Sequence, residues 1–278
     1  MSNITFSVNA VTRYDPTRTL VLRNNFARRF RVQFNDLALS VRNAIVDNGI
    51  LNTQNTPAER VAFFMGWFDR QVGAGPLDSF LARRMGTIVT ESWMNTYIQS
   101  AYQRGILRAR QELRNSVRRV PTIDESGGMA VVFNQPQHLN MVDLLYARVY
   151  NELQGVSAFM SQQVSRVLAQ ALAENLSNSA IAQSLTQIIV GPARQRAQLL
   201  ARTEIIRAYH TAVVQEYRNW GVEGVRVEAE WVTADDDRVC GKCEPLEGNV
   251  YSLNEIEGMI PLHVQCRCVA IPVAITKN

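Results

Sequence analysis

All four cysteines of this 278-residue chain fall between Cys240 and Cys268, and one of its three histidines lies among them. The spacing is Cys240-x2-Cys243, then 19 residues, then His263-x2-Cys266-x-Cys268. A Cys-x2-Cys turn bends two side chains toward one point, and His-x2-Cys does the same from a second turn. Two such turns supply four soft donors in a tetrahedron, which suits zinc. The expected ligands are Cys240, Cys243, His263 and Cys266, with Cys268 as the alternate fourth. Cys266 fits the two-residue spacing. Cys268 opens an apolar, strand-like run and can be read as a buried thiol. Two other readings compete: a set of disulfides, or free structural thiols. Disulfides suit an oxidising compartment, and the N-terminus MSNITFSVNAVTRYD lacks the basic and apolar segments of a secretory signal.

A sulfur-rich shell leaves no open coordination position, so a structural metal is expected rather than a catalytic one. Such a site supplies roughly 10–16 kcal/mol of apparent binding free energy. That is comparable with the roughly 5–15 kcal/mol stability of a whole domain. The turn-rich segment 233–278 shows little core of its own and is expected to unfold locally if a ligand is lost.

The rest of the chain reads as mainly α. The first fifteen or so residues suggest an extended arm. Leu22, Phe26, Phe30, Phe34, Leu37, Val41 and Ile45 recur at helical spacing, and Asn48-Gly49 is a stop signal. Thr56-Pro57-Ala58-Glu59 is a capping box with proline in the first turn. A further helical stretch is expected from about Asp78 to Arg119, with a break near Gly86. Residues 121–137 hold prolines, a Gly pair and acids, and read as a linker. A second long helix follows on Leu139, Val142, Tyr146, Val149, Leu153, Val156, Met160, Val164, Leu168 and Leu172. Then come a short helix from about Asn178 to Ile189, stopped by Gly191-Pro192, and another from about Ala193 to Trp220. Val225, Val227, Ala229 and Trp231 alternate with polar residues, the mark of a half-buried strand. The expected architecture is an Arg-rich helical domain at 1–120, a linker at 121–137, and a helical domain at 138–278. The second domain ends in a small β-containing zinc knuckle at 240–268.

Charge is unevenly distributed. Residues 1–120 hold 17 arginines against 8 acids, and residues 121–278 hold 12 basic residues against 17 acids. Arginine forks match carboxylate and phosphate, so the basic half points to nucleic acid or an acidic protein surface. The plainer reading is solvated helix faces. Arg104, Arg108, Arg114, Arg118 and Arg119 are the candidate binding residues, for DNA or a protein partner. The longest apolar run, Val61 to Trp67, falls far short of the roughly 20 residues that span a bilayer. A soluble protein made in the cytosol, without membrane contact, is expected.

The stretch Arg196-Ala197-Gln198-Leu199-Leu200-Ala201-Arg202-Thr203-Glu204, with Arg207-Ala208-Tyr209 following, resembles the "ARTE…RAyN" helix of the phage Mu F-like head morphogenesis family. Glu230-Trp231-Val232-Thr233-Ala234-Asp235 through Cys243 resembles its "eWvTagDdrvCpiC" segment. Leu246 to Tyr251 resembles its "ldGkvf", and Pro261 to Cys268 its "PpHpnCRC" end. Val264, Gln265 and His210 depart from the family's usual Pro, Asn and Asn. The resemblance covers roughly residues 140–275. It implies a minor capsid protein of a tailed bacteriophage, made in the bacterial cytoplasm and carried in the virion. The implied partners are the portal protein, the major capsid protein and packaged double-stranded DNA. The implied roles are head assembly, DNA packaging or ejection, none of them enzymatic.

Two alternatives belong to other classes. One is a zinc-containing nucleic-acid-binding protein that is not part of a virion. The other is an ADP-ribosyltransferase, suggested by Glu228-Ala229-Glu230. That chemistry also needs an arginine on a strand, and the candidate, Arg202, falls in a helical stretch. Asp235-Asp236-Asp237 reads as a solvated turn. His138 and His210 have no Ser or Cys partner at nearby spacing and read as ordinary surface or core residues. No phosphate-binding Gly-rich loop occurs, so a nucleotide-driven packaging motor is not expected of this chain.

Overall fold

Apolar residues recurring every three or four positions fold into long helices where their stripes meet. The computed structural model describes residues 15–52, 56–84, 87–116, 120–221 and 225–277. The expected N-terminal arm and Arg118 and Arg119 lie outside the described residues, apart from the arm's last residue, Asp15. The elements are α1 (Leu20–Val46), α2 (Pro57–Ala74), β1 (Ser79–Arg84), β2 (Thr87–Ser92), α3 (Asn95–Ser116), α4 (Met129–Phe133), α5 (Pro136–Ala173), α6 (Asn178–Gly221), β3 (Val225–Val232), β4 (Val250–Ser252), α7 (Leu253–Ile256) and β5 (Val269–Lys277). The protein is mainly helical, with a small three-stranded sheet beside the Cys/His segment.

In α1 the predicted stripe is the buried one, from Phe26 to Ile45. Thr56 and Glu59 form the expected capping box on α2. All the predicted α5 positions from Leu139 to Leu172 are buried except Val156, which is half-buried.

Two local expectations are corrected. Residues 79–84 and 87–92 form two antiparallel strands, pairing Ser79 with Ser92 and Arg84 with Thr87, where a helix was expected. The β-branched run Thr87-Ile88-Val89-Thr90 favours a strand, and the Met85-Gly86 pair between the strands is hairpin spacing. Gly191-Pro192 does not end a helix: α6 runs through it as one element. Ile181, Leu185, Ile189, Ala193, Ala197, Ala201 and Ile205 are buried at every fourth position straight through that pair. Gly191 and Pro192 themselves are exposed. The proline ring therefore lies on the solvent side of α6, and continuous packing outweighs the penalty of the lost hydrogen bond.

The chain divides into two compact units, one within 1–24, 96–145 and 199–278, the other within 25–95 and 146–198. Both draw on residues from either side of 121–137, which forms turns followed by α4 and the start of α5. In the first unit α3 and α6 approach closely at Gly105. Ala109 and Leu113 of α3 then pack with Tyr209, Val213 and Tyr217 of α6. The sheet has the order β4-β3-β5, all antiparallel. Ala229 and Trp231 of β3 are fully buried against Ile206 and Val214 of α6. Pro272 lies at the β5 bulge, on an edge strand, where its missing donor is tolerated.

Candidate metal centre

β3 ends at Val232, and the chain then makes two turns that carry the predicted donors. In the first, the Cys243 N–H donates to the Cys240 carbonyl at 2.9 Å. In the second, the Cys266 N–H donates to the His263 carbonyl at 3.1 Å. Both x2 spacings thus fold into the same hydrogen-bonded turn, and the two turns face each other.

The donor atoms converge. His263 Nε2 lies 3.0 Å from Cys240 Sγ and 3.0 Å from Cys243 Sγ, and Cys243 Sγ lies 4.0 Å from Cys266 Sγ. Cys240, Cys243 and His263 form one group whose donors lie within 4.8 Å of one another, and Cys243, Cys266 and Cys268 form another. Cys243 belongs to both. Tetrahedral zinc, with bonds of about 2.3 Å to sulfur and 2.0–2.1 Å to nitrogen, sets donors roughly 3.5–3.8 Å apart. The observed separations bracket that range, so the cluster has the donor type and spacing to hold a metal ion such as zinc.

His263 is prepared for this role. Its Nδ1 donates to the Val264 carbonyl at 2.7 Å. A carbonyl only accepts, so the proton sits on Nδ1 and the Nε2 lone pair faces the thiols. The hydrogen bond from the Cys268 thiol holds Cys266 below the usual thiol range, and the same bond, with burial, pushes Cys268 up. Burial raises Cys243 to about 12. Burial pushes Cys240 up too, but hydrogen bonds from the Cys243 and Lys242 backbone outweigh it and leave it lowered. Cys240 and His263 are half-buried, whereas Cys243, Cys266 and Cys268 are buried.

The segment has more core than its turn-rich sequence suggests. Trp231, Ile256, Ile260, Cys266, Cys268 and Ala270 form one buried cluster with Ile206 and Val214 of α6. Two polar ties were not legible. Asp236 accepts both Arg267 guanidinium nitrogens, at 2.6 and 2.5 Å, and Arg238 at 2.8 Å. The Arg267 bond holds the Asp236 carboxyl well below its ordinary range. This pair links the approach to the first turn with the residue after Cys266. His210 of α6, fully buried, meets the Cys268 carbonyl through Nε2 at 3.0 Å, and burial lowers its imidazole to about 4.

Among the other candidates, Arg202 of α6 reaches the second turn and donates to Gln265 at 3.1 Å. Arg104 donates to the Arg18 carbonyl, Arg108 pairs with Glu112, and Arg114 pairs with Glu125 across an exposed 3.3 Å gap. Sequence reasoning also missed a buried polar network in the same unit. Arg110 pairs with Glu216, which accepts the Trp220 indole at 2.9 Å and faces His138 Nε2 at 3.2 Å. Tyr102 meets His138 Nδ1 at 3.2 Å, and Arg110 also donates to Ser126 at 2.6 Å. Burial alone would raise the Glu216 carboxyl, but His138 and Arg110 hold it below its ordinary value.

Comparison with known families matches residues 162–271 to the family described as phage Mu protein F like protein. That range contains all five Cys/His donors. Neither the curated proteins nor the solved structures give a significant match. No described helix is long and apolar enough to cross a membrane.

Proposed function

We propose that this chain, whose residues 162–271 form a phage Mu protein F-like domain, is a minor structural protein of a tailed-phage head. It associates with the portal or the inner head surface and assists head assembly, DNA packaging or ejection. The supporting observation is the family match, which runs from within α5 through α6 into the sheet and encloses the Cys/His cluster. The functional domain extends beyond the match to residues 138–278, so that it includes nearly all of α5. Its partners are the portal protein, the major capsid protein and packaged double-stranded DNA. Arg104 and Arg114, which are exposed, would present basic side chains to the portal; Arg118 and Arg119, outside the described residues, are further candidates for that contact.

Zinc is the metal we assign to the cluster, held by Cys240, Cys243, His263 and Cys266. Cys266 belongs to the hydrogen-bonded turn that mirrors the Cys240 turn, whereas Cys268 leads directly into β5 and its carbonyl is tied to α6. Bound there, the ion would cross-link two turns that the backbone already aims at each other. Its role is structural.

The test is cross-linking of density-purified particles before digestion and mass spectrometry. Low-copy peptides of this chain cross-linked to portal or inner capsid peptides are the expected result. Absence from both mature particles and assembly intermediates would overturn the reading and favour a zinc protein that binds nucleic acid outside virions. Metal analysis of the purified protein should give about one zinc per chain; a protein folded without metal would overturn the assignment.

A further inference from the structure

Arg31 and Asn35 of α1, with Val190, Ala193 and Arg194 of α6, line an open cleft of about 320 Å³ in the second unit. Arg31 is half-buried, yet neither it nor Arg194 has a carboxylate partner among the described residues. Arg23, Arg108, Arg110, Arg218 and Arg267 are also withdrawn from solvent, and each faces an acid: Asp15, Glu112, Glu216, Glu257 and Asp236. A guanidinium that has lost hydration without gaining a protein anion is a site that an external anion fits.

The surroundings reinforce this. From Asn178 to Thr203, α6 holds no acidic residue, and Asp36 is the one acid of α1. Arg28, Arg31, Asn35 and Arg42 follow one another at intervals of three, four and seven, along one edge of the buried stripe of α1. That edge is about 21 Å long at 1.5 Å per residue. No aromatic ring lines the cleft, so it offers nothing on which a base could stack. Arginine forks with an amide beside them suit phosphodiester oxygens, and contacts of this kind carry no base sequence.

We infer that the Arg31–Arg194 cleft binds the phosphate backbone of double-stranded DNA without sequence preference. This deepens the head-protein reading and rests on it for the source of the DNA. The site is distinct from the arginines of α3, where Arg108 and Arg114 already face carboxylates.

The test uses the full chain and two duplexes of about 30 base pairs and different composition, followed by fluorescence anisotropy between about 50 and 200 mM salt. Wild type should bind both duplexes alike, with log affinity falling linearly against log salt. In Arg31→Gln/Arg194→Gln the slope should shrink by about 2, and in Arg194→Gln alone by about 1. Arg104→Gln/Arg114→Gln should keep the wild-type slope. Arg194 is exposed, so its single variant keeps the test valid if the double variant misfolds. An unchanged slope in Arg194→Gln, or no binding by wild type at the lowest salt, overturns the inference. So does normal DNA binding by the double variant with loss from particles, which would assign the cleft to an acidic protein surface. Absence of the wild-type chain from purified heads would instead count against the head-protein reading and leave the binding result standing.

Discussion

Gly105 of α3 lies directly against the Tyr209 carbonyl of α6, and a Cβ built on it would stand 2.7 Å from the Cβ of Ala212. The two helices meet at a point where no side chain fits. In most helix interiors, Gly→Ala stabilises by roughly 0.5–1 kcal/mol. Here the sign should reverse. Gly105→Ala should destabilise by about 1–3 kcal/mol, the usual penalty of overpacking, as read from urea unfolding. A gain in stability would show that α3 and α6 can separate without loss.

The two halves of the Cys266-x-Cys268 pair should separate in function. Cys243→Ser and Cys266→Ser should each lose zinc and gain protease cleavage between about residues 233 and 268. Cys268→Ser should keep the metal. Because Trp231, Ala229 and Ala270 pack on α6, β3 and β5 should stay protected while the turns open. Metal content and limited proteolysis read both effects; unchanged protease sensitivity in Cys243→Ser would remove the metal's structural role.

Glu216 is surrounded by Arg110, His138 and Trp220 with no solvent exposure. Removing one member of such a group leaves an uncompensated buried charge. Glu216→Ala should therefore cost about 3–5 kcal/mol, measured by denaturant unfolding. Arg148 and Glu152 form a half-exposed pair at 3.4 Å, and Glu152→Ala should cost at most about 1 kcal/mol. Equal losses would contradict the difference in burial.

His210 links acidity to stability. Its imidazole titrates at about 4 in the fold, against 6.5 ordinarily, chiefly because burial disfavours the charged form. The unfolded chain therefore binds the proton more readily between these values, so stability falls as pH drops. The contribution is complete above about pH 6.5 and is lost progressively down to about pH 4, reaching about 3 kcal/mol in all. His210→Asn should flatten that part of the stability–pH curve relative to wild type. Parallel curves for the two proteins would show that another group carries the dependence.

Much of this was readable in the residues. The stripes of α1 and α5, the Thr56–Glu59 cap and the inward face of β3 follow from local period and local hydrogen bonding. The two x2 turns followed from ligand spacing, and the geometry brings their donors together. What escaped depends on distant partners. Pro192 reads as a stop until the buried stripe of α6 is seen to continue through it. His138 seemed isolated because Glu216 and Tyr102 lie far away along the chain. Arg267 reaches Asp236 across 31 positions, and no spacing rule links them. One local signal was simply overlooked: Ser252-Leu253-Asn254-Glu255 is a second capping box, and it starts α7.

The discontinuous make-up of the first unit has a consequence for synthesis. A ribosome delivers α3 well before α6, so Ala109 and Leu113 wait roughly 100 residues for Tyr209, Val213 and Tyr217 to emerge. At about 5–20 residues per second, that apolar face stays uncovered for roughly 5–20 s. The second unit is complete in sequence once residue 198 has left the tunnel, whereas the first needs the last strand, β5. The nascent chain therefore carries a finished body and an unfinished one for the remainder of translation, and the unfinished one is the part that chaperones would hold.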